Sequence, residues 1–345
     1  TGATGDKWYL VQLPFGTFVA DQPPAELQFS GNTLSKPDGA QVGTGLNLKT
    51  RGGFRYGNDA LDNVGTDPAI QQSGTATGTI TPKVLELTKT SDAPETETAT
   101  GENFARTYTL NVNIANGEKI DSLKVSDFLP KNLVYLPGTL SVTGATLTSS
   151  ELPTPGAAQN APNNDFVLNF GSVTGTDSDS DVVITYKAYA PKIDANNAAV
   201  IDAATGDDRK ALNESQVTGT YGGVAVSDGA KDAVGTKDDP ADYELELKSI
   251  AIQKGVAVVG GGDAKPGSVL EYTLNFQISD YFSFKDLGIN DIFSDGQRFD
   301  KTFAPTLTIN GNNGTAGTTT FGNFSGDANG AFTLDNLTGS VATGT

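Results

Sequence analysis

The sequence has no cysteine, no histidine and no methionine, and only one tryptophan. Each absence closes a class of chemistry. Without cysteine there are no disulfides, no thiolate zinc sites and no thiol nucleophile. Without histidine there is no imidazole base, so a Ser-His-Asp triad is excluded. No apolar run approaches the ~18 residues that a membrane helix needs, and Thr1 does not open a signal peptide. Positive charge is scarce as well: 23 Lys and Arg stand against 41 Asp and Glu, a net charge of −18. That balance argues against nucleic acid as a partner. The absence of easily oxidised side chains suits an extracellular setting.

What is abundant is turn chemistry. Forty-one glycines are spread among many Thr, Asn and Asp in 345 residues. Short runs of alternating polarity separated by Gly and Pro clusters read as β-strands. Candidates are the face Leu85, Leu87 and Lys89, the face Tyr108, Leu110, Val112 and Ile114, and the stretches 132–136, 138–144, 165–171, 181–189 and 212–221. No long helical period is present. The expectation is an all-β chain of tandem immunoglobulin-like β-sandwich modules.

The chain repeats itself. RTYTLNVNI (106–114) matches LEYTLNFQI (270–278), with Tyr108 and Tyr272 separated by 164 positions (272 − 108). KVSDFLP (124–130) matches GINDIFS (288–294), with Asp127 and Asp291 again 164 apart (291 − 127). LELTKTSD (85–92) resembles SIAIQKGV (249–256), placing Lys254 opposite Lys89. LNLKTRGGFRYG (46–57) resembles LNESQVTGTYGG (212–223), placing Asn47 opposite Asn213, and YLVQLP (9–14) resembles TYKAYAP (185–191). A repeat of this kind marks stacked structural units. It divides the chain into the tail of one module (1–57), an acidic linker (58–80), a whole module (81–223), a second acidic linker (224–243) and the head of a further module (244–345).

Within that frame three polar residues continue apolar strand faces. Asp127 follows Leu123 and Val125 at alternate positions, Lys89 follows Leu85 and Leu87, and Asn213 shares a side with Ser215 and Val217. An unpaired buried charge is costly, so each needs a partner or a task. Plainer readings exist. Lys89 at a strand end could reach the surface, Asp127 could cap a turn, and Asn213-Glu-Ser is a glycosylation sequon. Lys83 and Lys248 are the alternative lysines.

Lys89, the YTLNVNI strand, the VSDFLP stretch and LNESQV resemble the conserved-repeat and isopeptide-forming β-sandwich modules of large bacterial surface adhesins and fimbrial proteins. The resemblance covers most of 81–223 and returns at 249–294. It implies an autocatalytic Lys–Asn crosslink, with Lys89 as nucleophile, Asn213 as electrophile and Asp127 as proton shuttle. Burial favours the neutral amine and the protonated acid that this chemistry requires. In the second copy Lys254 and Asp291 fill the first two roles. Asn47, in the tail, is the candidate partner for Lys254 of another copy.

No cofactor is required by this reading, and calcium is the one alternative. The oxygen-rich residues Asp59, Asp62, Asp67, Asp177, Asp179, Asp181, Asp238, Asp239 and Asp242 are its candidate ligands, although none fits an EF-hand loop. The plainer reading is a solvated acidic surface. The expected function is structural and non-enzymatic, in a stiff array or fibre at a bacterial cell surface or in the extracellular matrix. Its expected partners are adjacent repeats or neighbouring copies head to tail, with strand exchange between them. The rival is a calcium-dependent or carbohydrate-binding adhesin, whose aromatic platform would be Trp8 and Tyr9. A hydrolase with paired carboxylates ranks third, since no two acids have a defensible mutual geometry.

Overall fold

The computed structural model describes residues 46–50, 53–55, 70–72, 76–154, 165–202, 209–231, 235–282, 284–292 and 296–298, the strands at 306–309, 317–320, 324–326 and 331–341, and a few single positions. The chain forms two units, Thr1–Leu34 and Ser35–Thr345. All the described strands lie in the second.

The strands are β1 (Leu46–Thr50), β2 (Gly53–Arg55), β3 (Ile70–Gln72), β4 (Ala76–Ile80), β5 (Leu85–Ser91), β6 (Glu97–Ala99), β7 (Arg106–Ile114), β8 (Lys119–Phe128), β9 (Val134–Tyr135), β10 (Ser141–Thr143), β11 (Ser149–Glu151) and β12 (Phe166–Thr174). They continue with β13 (Val182–Tyr189), β14 (Arg209–Tyr221), β15 (Val224–Asp228), β16 (Tyr243–Lys248), β17 (Ile250–Val258), β18 (Leu270–Ile278), β19 (Phe284–Ile292), β20 (Thr306–Ile309), β21 (Gly317–Thr320), β22 (Phe324–Gly326) and β23 (Ala331–Val341). The chain is all-β.

Two sheets make the central sandwich. One runs β10-β13-β7-β5, with β9 also on β13. The other runs β11-β12-β8-β14-β16-β6, with β15 also on β14. Period-two alternation explains which residues fill the space between them. Leu85 and Leu87 of β5 and Tyr108, Leu110, Val112 and Ile114 of β7 are buried, and so are Leu123 and Val125 of β8 and Phe166 and Leu168 of β12. Together they form one core. The alternation is reset once. Ser122 adopts φ 54°, and the resulting bulge lets both Ile120 and Leu123, three positions apart, face inward. Gly219 on β14 lies against this bulge, where a Cβ would stand 2.3 Å from Ile120 Cγ2. A glycine is needed there because of that close approach.

The stretch 224–243, expected as a linker, carries β15, hydrogen-bonded to β14, and ends at the start of β16. β16 extends the sheet of the central sandwich, pairing with β14 and, in parallel, with the edge strand β6. After Ser249 the chain enters β17 of the following module. The stretch 58–80 likewise contains β3 and β4.

Hydrogen bonds tie the two modules together at this joint. Gln277 Oε1 accepts Arg106 Nη2 at 3.0 Å and Ala99 N at 3.2 Å. The Thr100 and Ser279 hydroxyls lie 2.6 Å apart. Asp280 accepts Asn103 N at 3.0 Å and Asn103 Nδ2 at 2.9 Å.

The repeat seen in the sequence reappears as strand register. Lys89 pairs with Leu110 between β5 and β7, and Lys254 pairs with Leu274 between β17 and β18. Asp127 pairs with Phe166, and Asp291 with Phe332. Asn213 faces Tyr243, and Asn47 faces Thr79. Among the described residues β18 pairs only with β17, and β19 only with β23. In the central module their counterparts β7 and β8 are paired on both edges.

Candidate functional site

Lys89, Asp127 and Asn213 come from three strands, β5, β8 and β14, and meet inside the central sandwich. Each is placed by the parity of its own strand. Lys89 is the third inward residue of β5, Asp127 the last inward residue of β8, and Asn213 an inward residue of β14, 0% exposed. Lys89 Nζ lies 3.3 Å from Asp127 Oδ2, with the two side chains 0% and 2% exposed. The same Nζ donates to the backbone carbonyl of Asn213 at 3.0 Å.

Tyr186 completes the cluster. On β13 it faces inward with Val182, Ile184 and Ala188. Its hydroxyl donates to Asp127 Oδ2 at 2.9 Å and accepts from Asn213 Nδ2 at 2.6 Å. Its ring stacks on Tyr108 with centroids 5.5 Å apart and an interplanar angle of 15°. Phe166 packs on it at 4.4 Å. Tyr186 was not among the residues the sequence singled out. The available signal was a tyrosine on an otherwise apolar face, whose hydroxyl must find a partner once buried.

Burial dominates the electrostatics. It pushes the Lys89 ammonium down from its ordinary pKa, against the attraction of Asp127. It pushes the Asp127 carboxyl up, against Lys89 and the Tyr186 hydrogen bond. Both shifts move the pair toward an amine and a carboxylic acid. Burial and nearby negative charge hold the Tyr186 phenol well above its usual range, so it stays protonated. Two buried acceptors, Asp127 Oδ1 and Asn213 Oδ1, have no hydrogen-bond partner. A proton on Asp127 would add a donor to this acceptor-rich cluster.

The segment 238–242 closes one side of the site. The carbonyl of Pro240 accepts Lys89 N at 2.8 Å, and that of Ala241 accepts Ser215 Oγ at 2.6 Å. Asp242 is buried, and its pKa is pushed up to about 6, first by burial and then by the nearby Asp239 and Glu214 carboxylates.

The second copy of the motif is built differently. Lys254 Nζ lies 2.5 Å from Asp291 Oδ1, but the lysine side chain is 37% exposed. It also sits 4.7 Å from the Tyr272 ring centroid. Around it Ile252 and Val256, which continue its face of β17, are exposed. Asn47 lies in β1, whose side chains fall outside the described residues.

The alternative lysines are engaged elsewhere. Lys83 Nζ is 2.9 Å from Asp228, with 52% of its side chain exposed. Lys248 Nζ is 3.2 Å from Glu246. The complete burial of Asn213 leaves its sequon no access to a glycosylating enzyme in the folded chain.

Of the candidate calcium ligands, Asp181 has its oxygens occupied. Oδ2 accepts Ile114 N, and Oδ1 accepts both the backbone N and the Oγ1 of Thr176, all at 2.7 Å. Asp177, Asp179 and Asp238 are exposed, and Asp239 Oδ1 accepts Ala241 N. Asp59, Asp62 and Asp67, like Trp8 and Tyr9, lie outside the described residues. Among the described residues no three acidic side chains gather as a metal site.

No family model and no curated protein matches the chain. Solved structures do. A 35 kDa C-terminal fragment of the major pilin of Streptococcus agalactiae matches at 10% identity and TM-score 0.30, over 50% of this chain and 58% of that one. The major pilin subunit of Bacillus cereus matches at 12% identity and TM-score 0.30, over 72% of this chain and 69% of that one. A collagen-binding domain of a Staphylococcus aureus adhesin matches at 11% identity and TM-score 0.24, over 47% of this chain and 96% of that one. The chain thus spans little more than half the length of the first. No helix among the described residues is long and apolar enough to cross a membrane.

Proposed function

We propose that this chain is a structural, adhesive component of a bacterial cell surface or extracellular matrix, whose central module is sealed by an amide bond between Lys89 and Asn213. The observation that carries this reading is the buried convergence of Lys89, Asp127 and Asn213 from three strands, with the Lys89 amine on the Asp127 carboxyl and on the Asn213 backbone carbonyl, and the Asn213 carboxamide joined to Asp127 through the Tyr186 hydroxyl. Burial supplies the two protonation states the chemistry needs, a neutral nucleophilic amine and a neutral carboxylic acid. The reaction runs once per molecule and joins the first strand of the sandwich to a late one, so the product is a mechanical element. The bond would span 124 positions, and pulling could not part β5 from β14 without breaking it.

The same reading extends to assembly. Among the described residues β18 and β19 each have one edge without a partner strand, and Lys254, 37% exposed beside the buried Asp291, lies between exposed apolar residues, which suits strands donated by an adjacent repeat or a second copy. β1, which pairs with β4 as β14 pairs with β16, is the strand of this chain that would carry Asn47 to that position. Head-to-tail repetition of such a contact gives an open fibre.

Intact-mass spectrometry tests the crosslink. Loss of one ammonia lowers the mass by about 17 Da, and a branched tryptic peptide should join the segments around residues 89 and 213. A mass equal to that of the sequence overturns the reading.

A further inference from the structure

The arrangement leaves one chemical requirement without an evident agent. In forming the amide, Nζ must lose protons and the departing Nδ2 must gain one. Asp127 Oδ2 faces the amine at 3.3 Å, but Asn213 Nδ2 is hydrogen-bonded to the Tyr186 phenol rather than to the carboxylate. The same phenol donates to Asp127 Oδ2. We propose that Tyr186 is a catalytic residue of this crosslinking reaction, carrying a proton from Asp127 to the leaving nitrogen of Asn213. This rests on the Lys89–Asn213 reading.

The proton balance is complete. Counted from an ammonium and a carboxylate, one proton first moves from Nζ to Oδ2, giving the neutral amine and acid that burial favours. The free pair on Nζ attacks Asn213 Cγ. The Nζ–Cγ bond forms and the carbonyl π pair moves to Oδ1. Tyr186 then gives its hydroxyl proton to Nδ2 while taking one from Asp127, and Asp127 takes the second proton from Nζ. The Cγ–Nδ2 bond breaks, the pair on Oδ1 restores the carbonyl, and neutral ammonia leaves. Asp127 ends protonated and Tyr186 ends as it began.

Three features fit Tyr186 to this task. Both of its hydrogen bonds lie along the path, at 2.9 and 2.6 Å. Its ring packs against both Tyr108 and Phe166, with centroids 5.5 and 4.4 Å away, which restricts movement of the hydroxyl. Its raised pKa keeps the phenol protonated until it is used. Tyr108 supplies the internal control. It belongs to the same stack, is 0% exposed and has a hydroxyl with no hydrogen-bond partner.

The test follows crosslinking of the full chain after a pulse of cell-free synthesis, reading the fraction that has lost ammonia by intact mass. Tyr186→Phe should slow the reaction about 100-fold, the scale of a lost proton donor. Tyr108→Phe should match the parent. Site-specific 3-fluorotyrosine at position 186 keeps the packing while acidifying the phenol, and the rate should shift with it. This third measurement decides the matter if Tyr186→Phe does not fold. A parent that crosslinks no faster than Tyr186→Phe, or a fluorotyrosine variant with the parent's rate, overturns the role of Tyr186. Absence of ammonia loss in the parent instead overturns the crosslink itself.

Discussion

Lys89 Nζ and Asp127 Oδ2 stand 3.3 Å apart in a core that excludes water from both side chains. The lysine reaches this point from one sheet and the carboxylate from the other, so the pair bridges the sandwich. An ion pair buried this completely is a poor source of stability, because desolvation offsets much of the attraction. The proposed crosslink would give the pair a chemical task.

Replacing Lys89 by Ala should abolish the mass loss, because it removes the nucleophile. Removing a crosslink over a loop of 124 positions forfeits about 5 kcal/mol by the loop-closure argument. The melting temperature should fall by roughly 10–20 °C, measured calorimetrically. Asp127→Asn should also block crosslinking while retaining the fold, since it keeps the shape but cannot accept the lysine proton.

Asp242 gives the module a pH dependence of defined sign. Its folded pKa of about 6 lies above the ordinary carboxylate value, so the folded state holds the proton more tightly than the unfolded one. Stability from this group is therefore greatest near pH 4 and declines as pH rises through about 6. Asp242→Asn should raise the melting temperature at pH 7 by a few degrees and flatten its change between pH 4 and 7.

The two lysines of the repeat should differ in reactivity. Brief acetylation of the folded chain should modify Lys254, whose side chain is 37% exposed. In an Asn213→Ala variant, which cannot crosslink, Lys89 should stay unmodified until the protein is denatured. Peptide mapping reads both. Labelling of Lys89 in the folded variant would contradict its burial.

The joint between modules depends on Gly101 and Asp280. Gly101 has φ 131°, and a Cβ there would collide with the Asp280 carboxylate. Gly101→Ala should loosen the joint, and Asp280→Ala should remove both bonds to Asn103, at a cost of about 1–3 kcal/mol. Faster proteolysis of the 92–105 segment would report either change.

Asp181 serves as a structural cap whose carboxylate holds Ile114 N and Thr176. Asp181→Ala should lower the melting temperature equally in calcium and in chelator. A loss confined to calcium-containing buffer would make it a ligand instead.

Sequence alone determined the strand faces, the 164-residue repeat and the inward direction of Lys89, Asp127 and Asn213. These follow from local periodicity, which is fixed by the two-residue pleat of a strand. The acidic stretch 224–243 showed the limit of that reasoning. Its composition reads as solvated linker, yet β15 and β16 extend the β14 sheet, because an open strand edge recruits whatever backbone lies beside it. Tyr186 belongs to the same limit, since parity places it inward but only the packing of one sheet on the other sets its hydroxyl between Asp127 and Asn213. The contrast between Lys89 and Lys254 is likewise tertiary. Two lysines in matching registers differ in burial because β14 and Tyr186 cover the first, while among the described residues no corresponding strand covers the second.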